Sequence, residues 1–94
     1  MTFDTALRDA QAKAKSAGAE GSEGWIAAQL ALTRLDQARA RTVGGLAEID
    51  GLLLAEYAAN RPVAPETAAV AAELQTRADA QAVAIDAIKA MLAR

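Results

Sequence analysis

The chain's only prolines, Pro62 and Pro65, stand three residues apart, so almost the whole of its 94-residue length is free to be helical. Proline lacks an amide hydrogen and clashes with the preceding turn, so a helix must end before Pro62, whereas Pro65 suits the first turn of a new one. What flanks this break favours helix strongly. Alanine occurs 27 times, against four valines and four isoleucines. Alanine loses no side-chain entropy in a helix and buries no polar group there. The sequence therefore predicts an all-α fold in a single domain, residues 1–94. An alternative account of part of the alanine is codon bias, since a GC-rich genome would enrich alanine and arginine together, and arginine outnumbers lysine, seven to three.

Three helices are expected, over about 3–17, 22–60 and 65–93. In the first, Thr2 serves as N-cap and Asp4 favours the dipole of the opening turn. Phe3, Leu7, Ala10, Ala14 and Ala17 then mark a narrow apolar face. A short helix with so little apolar surface must dock to persist. It stops in SAGAEGSEG, where Gly18, Gly21 and Gly24 mark a loop.

The second helix starts at Ser22. Leu32, Leu35, Leu46, Ile49, Leu53 and Tyr57 lie on one line, bridged by Arg39 and Thr42. That register runs through Gly44-Gly45 and favours one long helix of about 58 Å. The alternative is a break at the glycine pair, which costs about 2 kcal/mol relative to alanines inside a helix and is a known kink point. A compact four-helix bundle would follow from it.

In the third helix, Val70, Leu74, Ala78, Gln81, Ile85, Ile88 and Leu92 share a face, with Lys89 and Arg94 favourably placed at the negative end of the dipole. Gln81 reads as the edge of that stripe; a buried polar residue there would fix register or oligomeric state. The short turn at 61–64 makes helices two and three an antiparallel hairpin. The first helix, about half their length, covers one end as a three-helix bundle and leaves residues 44–59 and 66–80 as a bare two-helix tip. Trp25 is expected to close the three-helix end near Phe3 or Met91.

The tip segment TVGGLAEIDGLLLAEYAA is apolar nearly all round, a pattern normal for a helix buried on most sides. Gly44, Ala47, Gly51, Ala55 and Ala58 form a small-residue stripe suited to close packing on the third helix. Leu46, Ile49, Leu53 and Tyr57, with Leu52 beside them, would then be left as an interface. Burying four such side chains contributes about 6–10 kcal/mol before the costs of association. Two tips meeting face to face would complete a four-helix bundle, so a homodimer is expected, with another helical protein as the alternative partner.

Chemistry is poorly provided for. The chain has no cysteine and no histidine, which removes thiol and imidazole catalysis and the commonest transition-metal ligands. Asp79 and Asp86 can share a helix face, yet without a neighbouring ligand spacing they read as a solvated surface. GAEGSEG follows no strand and precedes no lysine, so it is not a phosphate loop. No catalytic, cofactor or metal residues are assigned, and no enzyme activity or cofactor is expected.

Arg34 and Arg41 share a face while Arg39 turns away, which is the basis for an alternative reading as a nucleic-acid-linked or antitoxin-like regulator. A net charge of −2 argues against phosphate binding, so no nucleic-acid partner is expected. An alanine-lined cavity for an apolar ligand is a third possibility. The N-terminus lacks the apolar core of a signal peptide, and no run is long and apolar enough to span a bilayer. Acidic residues around the tip weigh against membrane insertion. The expectation is a cytoplasmic, bacterial-type interaction, adaptor or assembly protein.

Overall fold

The computed structural model describes residues 2–93 and, within them, three helices with no strand: α1 (Phe3–Lys15), α2 (Glu23–Ala58) and α3 (Pro65–Leu92). Arg94, assigned above to the dipole of the last turn, lies outside the described residues. The molecule is 57 Å long, close to the length of α2 at about 1.5 Å per residue. The glycine pair does not interrupt α2, so the four-helix alternative is not formed.

Each helix boundary has a local cause. Thr2 accepts a hydrogen bond from the Thr5 amide, and Ser22 accepts one from the Trp25 amide. Both satisfy a donor that the first helical turn leaves free. The Ser22 hydroxyl also donates to the Ala17 carbonyl at 2.9 Å, tying the end of α1 to the start of α2. Gly18 and Gly21 take φ of 72° and 84° between the two helices, a conformation costly for residues with a Cβ. Gly24, read above as part of the loop, is instead in the first turn of α2.

α2 ends in a Schellman motif with asparagine rather than glycine in the left-handed position. Asn60 has φ 58°; its amide donates to the Tyr57 carbonyl, and the Arg61 amide donates to that of Glu56. Pro65 opens α3 with no side-chain cap.

The core cluster lies in the half that α1 covers. Ala6, Ala10 and Ala14 of α1 meet Ala31, Leu32, Leu35 and Ala38 of α2 and Ile85 and Ile88 of α3. Phe3, Leu7, Met91 and Leu92 pack around them. Leu35 and Ile88 are the largest fully buried side chains. Most of the rest is alanine, so the stability of this end comes from close backbone approach and dispersion rather than from bulky side chains. Arg39 adds a polar tie between helices, donating from Nε to the Ala78 carbonyl at 3.1 Å.

Two local expectations are corrected. Gln81 is inside the bundle, 6% exposed, not at the edge of the stripe, and its Oε1 has no hydrogen-bond partner. A buried carbonyl without a donor costs on the order of 1–3 kcal/mol. Gln81→Met, which keeps the length of the side chain and removes the amide, is therefore expected to raise unfolding free energy by about 1 kcal/mol in urea titrations. A loss of similar size would show that the amide is satisfied and needed. Of the two neighbours expected for Trp25, Phe3 is excluded, since it lies at the other end of α1, which runs antiparallel to α2. Trp25 shares a cleft with Lys89 and Leu92, at the end of α3 that carries Met91.

Candidate functional site: the uncovered half of the hairpin

α1 begins beside Ala38, Arg41 and Thr42 of α2 and Arg77, Gln81 and Ala84 of α3, which together line an open cleft of about 610 Å³. Beyond that level α2 and α3 have only each other. No residue of α2 after Ala38 is buried, and on α3 the buried residues below Ala78 reduce to Ala71. The expected division into a three-helix end and a bare two-helix tip is what the fold contains.

Which face of α2 turns inward at the tip differs from expectation. Leu46, Ile49 and Leu53 are half-buried on the hairpin side, whereas Gly44, Ala47, Gly51, Ala55 and Ala58 are all exposed. A Cβ added at Gly44 or at Gly51 would meet nothing within 4 Å, while one at Gly45 would lie 4.0 Å from Leu74 Cδ1. The small-residue stripe therefore does not pack on α3. The cause lies in the bundle: Leu32, Leu35 and Ala38 fix the inward face of α2, and an uninterrupted helix carries that face on to Leu46, Ile49 and Leu53. Burying leucine and isoleucine also removes more apolar area than burying alanine and glycine.

Of the residues assigned to an interface, Leu52 and Tyr57 are exposed, Tyr57 by 79%, while Leu46, Ile49 and Leu53 are partly used within the chain. Leu54, which the sequence reading left unassigned, is 68% exposed. Val63 and Val70 extend the apolar surface onto the turn and α3. A shallow cleft of about 240 Å³ opens there between Leu52, Leu53, Glu56, Pro62 and Val63.

The tip is also the acidic part of the chain. Residues 43–76 hold Glu48, Asp50, Glu56, Glu66 and Glu73 against Arg61, a net charge of −4, which leaves +2 on the remainder. Arg61 Nε lies 3.5 Å from Glu56 Oε2, and Arg77 pairs with Glu73 at 2.9 Å. Such exposed pairs contribute little to stability.

The cleft beside Gln81 holds Asp4, Arg41 and Arg77 but no nucleophile activated by a base. Gln81 Oε1 is itself closed off from solvent. Of the three arginines set apart above, Arg34 and Arg41 are exposed on one side of α2, and Arg39 is half-buried and committed to α3. Among the described residues there is no cluster of three or more metal-ligating side chains, and no helix is long and apolar enough to cross a membrane.

Comparison of the chain with protein-family models, curated proteins and solved structures gives no match.

Proposed function

We propose that this chain is a non-enzymatic association module, a cytoplasmic interaction, adaptor or assembly protein whose uncovered hairpin half docks on further helices. The partner is a second copy or another helical protein. One observation carries the reading: over residues 43–58, α2 is apolar on faces that no other part of the chain covers, with Leu52, Leu54 and Tyr57 exposed. A patch of this kind usually marks a contact surface, because leaving it in water forfeits the free energy of burial.

Light scattering after gel filtration tests it. The wild type is expected at twice the chain mass of 9.7 kDa, and Leu54→Glu at the monomer mass with unchanged helicity. Leu54 is the better probe than Leu53, since a change at the half-buried Leu53 would also disturb the hairpin. A wild type that stays monomeric at all concentrations, with Leu54→Glu equally stable, would overturn self-association through this surface.

A further inference from the structure

α2 carries a second, unused helical seam opposite the one that packs inside the chain. Ile26, Leu30, Thr33, Gln37, Ala40, Gly44, Ala47, Gly51, Leu54 and Ala58 alternate at spacings of four and three, which is the a/d pattern of a heptad repeat. All ten are exposed, Ile26 by 56%, Leu30 by 52% and Leu54 by 68%. None is charged, although α2 holds eight charged residues in its 36 positions. At 100° per residue the seam is centred roughly half a turn from Leu35 and Leu53, so α1 and α3 leave it open. Gly44 and Gly51 belong to it, and nothing within the chain requires a glycine at either place. Each costs about 1 kcal/mol of helix stability relative to alanine. Close approach by another helix is a use that would account for both.

Charge selects the occupant and its direction. A second copy laid parallel, or tip against tip, would place one −4 segment on another. Laid antiparallel, the acidic tip lies along the arginine-bearing stretch 33–43. One register is particularly favourable. With Gly44 opposite Ala47 of the second copy, Gly51 falls opposite Ala40, Ala58 opposite Thr33, and Leu54 opposite Gln37. Arg41 then flanks Glu48 of the second copy, Asp36 flanks the Tyr57 hydroxyl, and no like charges face each other along the seam. The smallest residues fall at the two-fold axis, where helix axes can come within about 8 Å.

We propose that the outer seam of α2 is a self-association surface on which a second copy of this chain packs antiparallel, Gly44 of each against Ala47 of the other. This rests on the association reading above and names its surface. It departs from a tip-to-tip dimer in extending beyond the tip to Ala40 and Thr33.

Two variants and one cross-link decide it. Ala40→Arg, outside the tip but on the seam, is expected to give a folded monomer. Leu52→Glu, within the tip but off the seam, is expected to remain dimeric. The chain has no cysteine, so Thr33→Cys protein mixed with Ala58→Cys protein under mild oxidation should give the mixed disulfide-linked dimer. Neither variant alone should cross-link, since like positions are about 37 Å apart in the antiparallel pair. Self-linked Thr33→Cys dimers would mean parallel packing and overturn the proposal. Dimers that survive Ala40→Arg but dissolve with Leu52→Glu would overturn the seam while leaving association through the tip standing. A monomeric wild type would overturn self-association on the seam and on the tip alike.

Discussion

Replacing Leu35 with alanine is expected to lower the unfolding free energy by about 3–4 kcal/mol, enough to remove much of the stability of a domain this size. Leu35 is 0% exposed and, with Ile88, is one of two large side chains fully enclosed in a core whose other members are Leu32, Ile85 and alanines. The helices around it are already held close by those alanines, so they cannot collapse far into the space a truncation leaves, and the cavity contribution should be near the upper part of its range. Chemical denaturation followed by far-UV circular dichroism measures the loss. α1 should be the first element released, because thirteen residues with a narrow, mostly alanine apolar face do not hold a helix without docking. Leu52→Ala is the control, and at an exposed position it should change stability by no more than about 0.5 kcal/mol. Equal effects at the two sites would mean that the core is not where the fold places it.

Gly24→Ala is expected to destabilise the protein by about 2 kcal/mol, opposite in sign to the ordinary gain from removing a glycine in a helix. A Cβ at this position would lie 2.7 Å from the carbonyl oxygen of Ala17 and 2.9 Å from that of Ser16. Both are backbone atoms at the end of α1, unable to swing aside as a side chain could, and the Ala17 carbonyl is held in addition by the Ser22 hydroxyl. The start of α2 must move, or the junction must open. Gly51→Ala, whose Cβ would meet nothing within 4 Å, should instead gain about 1 kcal/mol when measured at concentrations where the chain is monomeric. Thermal unfolding of the two variants in parallel reads the difference directly. A gain from Gly24→Ala would show that α1 and α2 do not approach as closely as this.

These two glycines also show how far sequence reading reaches. Gly24 was read as part of a loop and Gly51 as part of a close-packing stripe; both are helical. Yet Gly24 is required because backbone oxygens of Ser16 and Ala17 would lie closer than van der Waals contact to an added Cβ, and Gly51 meets nothing within the chain. Nothing in the residues near Gly24 announces that the end of α1 returns against it. The same holds for Gln81, whose place on an apolar line was visible but whose burial, beside the start of α1, was not.

The heptad spacing on the outside of α2 was equally present in the sequence. It could not be separated from the inward pattern while it was unknown which side α3 would occupy, because a helix apolar all round offers several consistent stripes. For the same reason the small-residue stripe was assigned to α3 when Leu46, Ile49 and Leu53 take that contact.

What the sequence determined was everything that depends on a residue and its near neighbours. Alanine content set the helical class; Ser22, Pro62 and Pro65 set where helices begin and end; the short turn set the hairpin; and the brevity of α1 set the uncovered tip. The tertiary structure alone decided which face of α2 is inside. That choice is made once, where α1, α2 and α3 meet around Leu35, and a continuous helix then transmits it over about 27 Å to Leu53, to residues that have no say in it.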